Sequence, residues 1–132
     1  MKIAVPTDDG KTISRHFGRA PSYLVFTIES GDIVDRAQRD KAGHDQFAHQ
    51  PHDDHEHGRG HGFGTHSAEK HTRMMAPIRD CEAVIVRGMG QGAYLALQQA
   101  HIRPVLTDLE DAEGAVRAFI DGKLVDHPEW LH

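Results

Sequence analysis

Cysteine is almost absent from this chain: Cys81 stands alone among 132 residues. A single thiol excludes an intrachain disulfide, and it equally excludes a four-cysteine cluster site built within one chain. Aromatic residues make up only 6%, and the hydrophobic share of 38% is low for a folded chain, with the deficit concentrated in one stretch. No apolar run approaches membrane-spanning length, and Met1-Lys2-Ile3 leads directly into a strand-like pattern without signal-peptide character. The expectation is a cytoplasmic protein with no membrane partner. Positive charge is also short, 15 Lys and Arg against 20 Asp and Glu, for a formal net charge of −5. With no basic stripe, nucleic acid is not an expected partner.

The signatures of catalysis are missing too. There is no Gly-Lys-Ser/Thr phosphate loop, no G-x-G-x-x-G fingerprint and no paired nucleophile and base. Asp8 and Asp9 end the first apolar segment, but the central strand brings no carboxylate to complete a magnesium site. The chain reads as a non-enzyme, and its length suits a single domain spanning residues 1–132.

What is present centres on Ala83 to Leu97. Ala83-Val-Ile-Val86 is an uninterrupted apolar run, suited to a strand buried on both faces. Gly88, Gly90 and Gly92 follow, then Ala93, Leu97 and Ala100 at helical spacing. Strand, glycine turn and helix make half of a βαβ unit. In open α/β sheets ligands sit beyond the carboxyl ends of such strands, where helix-start amides attract anions. The alternate glycines also fit a purely structural turn that uses positive φ and close helix packing.

Along the chain, Lys2 to Thr7 reads as a first strand and Asp8-Asp9-Gly10 as a turn. Ile13 to Pro21 is irregular and reads as a loop at the carboxyl end of that strand. Tyr23 to Ile28 and Ile33 to Arg39 form a hairpin around Ser30-Gly31-Asp32. Ser67 is placed to cap a helix with Met74, Met75 and Ile78 on its apolar face, and Cys81 reads as a small buried residue. Val105 and Leu106 mark a last strand. Asp108 is the expected cap of a final helix with a stripe of Ala112, Ala115, Val116, Phe119 and Ile120, stopped at Gly122. The order β-β-β-insert-α-β-α-β-α predicts a mixed five-stranded sheet flanked by helices, with the later strands beside the first. The His16 loop and the glycine turn would then face each other.

The insert, Gly43 to about His66, breaks every period. Eight of the twelve histidines lie between His44 and His71, interleaved with Asp53, Asp54, Glu56 and glycines. Such a composition offers no core and predicts a metal-dependent or mobile stretch. His52, His55, His57, His61 and His66 are the candidate ligands, and imidazoles with carboxylates suit zinc, nickel, cobalt or copper(II). No framed four-ligand zinc scaffold is visible. A solvated polar loop and a weak, multivalent, pH-dependent metal binder both fit.

Met-Lys-Ile-Ala-Val-Pro-Thr-Asp at the start, His16-Phe17-Gly18-Arg19-Ala20, Val86-Arg87-Gly88-Met89-Gly90 before a helix, and Asp121-Gly122-Lys123-Leu124 after the last helix form an ordered set. The set resembles the dinitrogenase iron–molybdenum cofactor biosynthesis family, which includes nitrogenase cofactor carriers and the orange protein. The resemblance covers nearly the whole chain except the insert. It implies a ribonuclease-H-like α/β fold without nuclease activity, and binding or carriage of a molybdenum- or iron-containing sulfide cluster rather than catalysis. It also implies a cofactor-assembly or acceptor protein as partner. His16, Arg19, Arg87, Gly88, Met89, Gly90 and Gly92 become the expected cluster-binding residues. The bottom-up chemistry agrees in part: sulfide-bridged molybdenum clusters are anionic, and guanidinium groups with turn amides suit an anion. His16 could ligate a metal or donate a hydrogen bond. Phe17 reads as the plug holding the loop to the core. An anion- or nucleotide-sensing regulatory domain remains an alternative, as does sequestration of a divalent metal by the histidine-rich stretch.

Overall fold

The structure, a computed structural model, describes residues 1–41 and 73–131. The histidine-rich stretch, with His52, His55, His57, His61 and His66, lies outside the described residues, as does the expected cap Ser67.

Five strands form one mixed sheet: β1 (Lys2–Thr7), β2 (Ser22–Glu29), β3 (Asp32–Asp40), β4 (Ala83–Val86) and β5 (Arg103–Leu106), in the order β3-β2-β1-β4-β5. β2 is antiparallel to both its neighbours, while β1, β4 and β5 run parallel. This arrangement is compatible with the ribonuclease-H-like class and matches the five-stranded expectation.

Among the described residues, two full helices pack on the sheet, α1 (Gln91–Gln99) and α2 (Ala112–Ile120). Alternation along each strand sorts side chains to one or the other. Ala4, Val84 and Val86 join Ala93 and Leu97 of α1, together with Met74, Met75 and Ile78. Ile3, Val5, Ala83 and Ile85 join Ala112, Ala115 and Val116 of α2. Ile3–Pro6 of β1 and all of β4 are apolar because helices cover both faces of the sheet. Each fully buried Val, Leu or Ile contributes about 1.5–3 kcal/mol relative to exposure. These two strands therefore hold the layers together.

The hairpin turn uses Ser30 at φ 54° and Gly31 at φ 81°, the left-handed pair that a tight β2–β3 connection requires. β3 is the outer strand on the hairpin side of the sheet and mostly exposed, and its charged residues discourage pairing with another sheet edge. Arg36 reaches Glu113 of α2 through two contacts of 2.6 and 3.0 Å. Arg39 binds Asp80 on the opposite face at 2.8 and 3.2 Å and also donates to the Pro77 carbonyl. The outer strand is thus tied to both helical layers.

One expectation needs correction. The cap of α2 is Asp111, whose carboxylate accepts from the Gly114 N–H at 2.7 Å, and not Asp108. Residues 107–110 continue away from β5 because the Ile13 N–H donates to Glu110 and the Ala112 N–H to Lys11. These bonds delay the helix by one turn. Gly122 at φ 72° ends it as expected.

Candidate functional site

Thr7, Ser22 and Asp40 are aligned across the sheet by the strand registers, and Val86 and Leu106 end β4 and β5 at the same side. The 8–21 loop and the 87–90 turn therefore leave one end of adjacent parallel strands. They meet directly: the Phe17 N–H donates to the Gly88 carbonyl at 3.3 Å. The predicted juxtaposition is present.

The 8–21 loop is built from its own polar groups. The Thr7 hydroxyl donates to the Thr12 carbonyl at 2.7 Å and accepts from the Gly10 N–H at 2.9 Å. The Asp9 carboxylate accepts from the Lys11 and Thr12 amides and the Thr12 hydroxyl, which holds its pKa well below the usual carboxylate range. Asp9 is thereby committed to the turn. Farther on, the His16 carbonyl accepts from the Arg19 and Ala20 amides, closing a tight turn. Ile13, Phe17 and Ala20 point inward and are buried; Arg15, His16, Gly18 and Arg19 are exposed. Phe17 is the expected plug, with its ring 6.2 Å from that of Tyr23.

Lys41 is the residue that sequence reasoning missed. Its side chain is 1% exposed, its ammonium donates to the Phe17 carbonyl, and the nitrogen sits 4.5 Å from the Phe17 ring centroid and 5.2 Å from that of Tyr23. Its backbone N–H donates to Pro21 at 2.9 Å. A lysine directly after a polar edge strand carries no periodic signal of burial, so only the fold could reveal it. The Tyr23 hydroxyl donates to Met74 at 2.7 Å, and burial pushes its pKa far above the ordinary phenol value.

On the other side, Gly90 caps α1 with φ −84° and ψ 163°, an extended conformation open to any residue. Among the described glycines, positive φ occurs at Gly10, Gly31 and Gly122 and not in this turn. The structural reading of Gly88, Gly90 and Gly92 through positive φ is therefore overturned. No side chain caps α1, and the first intrahelical bond runs from Tyr94 to Gly90, so the amides of Gln91, Gly92 and Ala93 begin the helix without an intrahelical acceptor. Arg87 is half-buried, Gly88 is buried and Gly92 is exposed. Met89 is 2% exposed and packs with Phe17 and Leu97 in the core beneath the turn.

The loop that carries His16 and Arg19 and the turn that runs from Arg87 to Gly92 are thus neighbours at this end, joined through the Phe17–Gly88 bond. Among the described residues, no side-chain hydrogen bond or ion pair engages His16, Arg19 or Arg87. No group of three or more His, Cys, Asp or Glu able to hold a metal ion occurs among the described residues. Cys81 is far from this end: it precedes β4, is 4% exposed, and its thiol is pushed up to about 12, first by burial and then by the Asp80 charge. Among the described residues, a cavity of about 350 Å³ is lined by Gln98, His101 and Arg103, and one of about 180 Å³ by Thr107, Leu109, Lys123 and His127. No helix among the described residues is long and apolar enough to cross a membrane.

Comparison with known proteins decides the family. The model described as dinitrogenase iron-molybdenum cofactor matches residues 1–122. The chain belongs to this family. An uncharacterized protein of Methanocaldococcus jannaschii is 27% identical over 124 residues, covering 94% of this chain and 89% of that one. Among solved structures, PH0822 superposes with a TM-score of 0.67 at 20% identity, covering 98% and 99% of the two chains. The apo orange protein of Desulfovibrio gigas superposes with a TM-score of 0.60 at 22% identity, covering 96% and 92%. At these identities the structural likenesses establish the fold. The family match ties this dinitrogenase iron-molybdenum cofactor domain to the carriage or assembly of such a cofactor.

Proposed function

We propose that this chain binds and carries, without catalysis, an anionic molybdenum- or iron-containing sulfide cluster. The site is the end of the sheet where the His16 loop meets the start of α1. The carrying observation is the Phe17–Gly88 hydrogen bond, which joins the loop that carries the exposed His16 and Arg19 to the turn that follows Arg87 and opens α1. The donor set fits such a cargo in one specific way. The lone thiol is buried elsewhere and the Met89 thioether lies in the core, so soft sulfur ligands are not offered at this end. An anionic cluster that brings its own sulfides needs charge neutralisation and hydrogen-bond donors, with at most one imidazole ligand. Arg19, Arg87 and the Gly88, Met89, Gly90 and Gly92 backbone supply the first two, and His16 the last. A cofactor-assembly or acceptor protein in the cytoplasm would be the partner.

Titration with tetrathiomolybdate tests the site. His16→Ala should weaken binding while shifting stability by no more than about 0.5 kcal/mol, the usual range for an exposed loop position. Arg87→Gln should lower affinity and flatten its salt dependence, because screening acts on that attraction. If both folded variants bind like wild type, the site lies elsewhere. The unpaired amides at the start of α1 favour a second reading, an anion- or nucleotide-sensing domain. Preference for phosphate or nucleotide over thiomolybdate would select it. His52, His55, His57, His61 and His66 form a separate candidate for divalent metals such as zinc or nickel, tested by metal titration of a variant with these five changed to alanine.

A further inference from the structure

We infer that Lys41 is a positioning residue that fixes the His16 loop against the glycine turn, an inference that rests on the cluster-binding reading of that end. The loop has an exposed His16 followed immediately by the buried Phe17. Phe17 is gripped at three points. Its N–H donates to Gly88, its carbonyl accepts from the Lys41 ammonium, and its ring faces that ammonium at 4.5 Å. The two peptide groups flanking Phe17 are thus both held, one by the glycine turn and one by Lys41, the residue that follows β3. Fixing both leaves the preceding residue, His16, little freedom in where its backbone places the imidazole.

Chemistry explains why a lysine performs this task. Burying an ammonium is expensive unless it is met by acceptors and π-faces. Lys41 finds the Phe17 carbonyl and two aromatic rings, and its backbone N–H binds Pro21 at the far end of the same loop. An uncharged side chain of similar shape would fill the volume without binding the carbonyl. The positive charge also lies directly beneath the loop that carries His16 and Arg19, where it adds to the attraction for an anion. Lys41 therefore acts on the site through Phe17 rather than by touching the cargo.

The test compares wild type with Lys41→Met, which keeps the length and removes the charge, and Lys41→Arg, which keeps the charge. Amide hydrogen exchange is measured without ligand, and tetrathiomolybdate affinity is measured at two salt concentrations. In Lys41→Met the Phe17 and Ala20 amides should exchange about tenfold faster, as expected for loss of a charged hydrogen bond, while the β1–β4 amides stay protected. Affinity should fall by a similar factor, and Lys41→Arg should recover part of both. Unchanged loop exchange and affinity in a folded Lys41→Met protein overturns the inference, as does faster exchange spread evenly over the sheet. If Lys41→Met does not fold, the wild-type protein decides by nuclear magnetic resonance: a slowly exchanging ammonium signal with contacts to the Phe17 ring supports the inference, and its absence overturns it. A wild-type protein that fails to bind tetrathiomolybdate overturns the cluster reading, whereas the exchange pattern still judges Lys41 as the holder of the loop.

Discussion

Single residues divide sharply here between those that pack and those that present chemistry, and Cys81 is the clearest case. Its composition-based reading as a small buried residue agrees with its 4% exposure. Burial, and then the neighbouring Asp80 carboxylate, push the thiol up to about 12, so almost no thiolate exists near neutral pH. Native protein at pH 8 should therefore resist iodoacetamide, and denatured protein should react rapidly, as followed by mass spectrometry. Rapid alkylation of the native state would mean that the β4 entrance opens readily. Met89 illustrates the opposite outcome. The family resemblance puts it among the expected cluster-binding residues, and its side chain is in the core with Phe17 and Leu97, so only its backbone is left to offer a ligand. Sequence spacing locates a residue in a turn but not the direction its side chain takes.

Among elements, those with an unbroken period were legible and those fixed by tertiary hydrogen bonds were not. β1, β4 and the stripe of α2 follow directly from apolar spacing, because covered sheet faces and one-sided helices leave distinct patterns. The start of α2 was misread, because Asp108 and Asp111 are equally good caps in isolation. The bonds from Ile13 to Glu110 and from Ala112 to Lys11 settle the choice. Asp111→Ala should cost about 1 kcal/mol of stability, and Asp108→Ala should fall within about 0.5 kcal/mol of wild type, by denaturant unfolding. Comparable losses in both would indicate two competing starts. The glycine turn also changes its meaning. Because Gly90 is extended at φ −84°, Gly90→Ala pays no left-handed penalty. A loss of tetrathiomolybdate affinity in the folded variant would then report crowding of the anion rather than backbone strain.

For the molecule as a whole, charge ties the outer strand to both layers, and this sets a pH dependence. Asp80 is held below the usual carboxylate range, first by its hydrogen bond from Arg39 and further by Lys2, despite some desolvation. Its pKa is lower folded than unfolded, so its contribution is present above the ordinary value of 3.8 and fades as pH falls below it. Asp80 is partly exposed, with 46% of its side-chain surface accessible, so solvent screening limits the contribution to about 1 kcal/mol or less. Asp80→Asn should narrow the difference in melting temperature between pH 6 and pH 3, and an undiminished difference would place the acid sensitivity in other carboxylates. The sheet order carries a further consequence for how the chain folds. β1, β2 and β3 are successive neighbours, so their meander needs only short closures, whereas β1 finds its parallel partner when Ile3 meets Ala83. Closure entropy rises only logarithmically, about 0.6 kcal/mol per doubling of a flexible loop. The long closure between Ile3 and Ala83 thus costs more in time than in stability. The β1–β4 pairing should form after the meander, so a destabilising change in the β2–β3 hairpin should slow folding more than one at the β1–β4 seam, as read from folding kinetics.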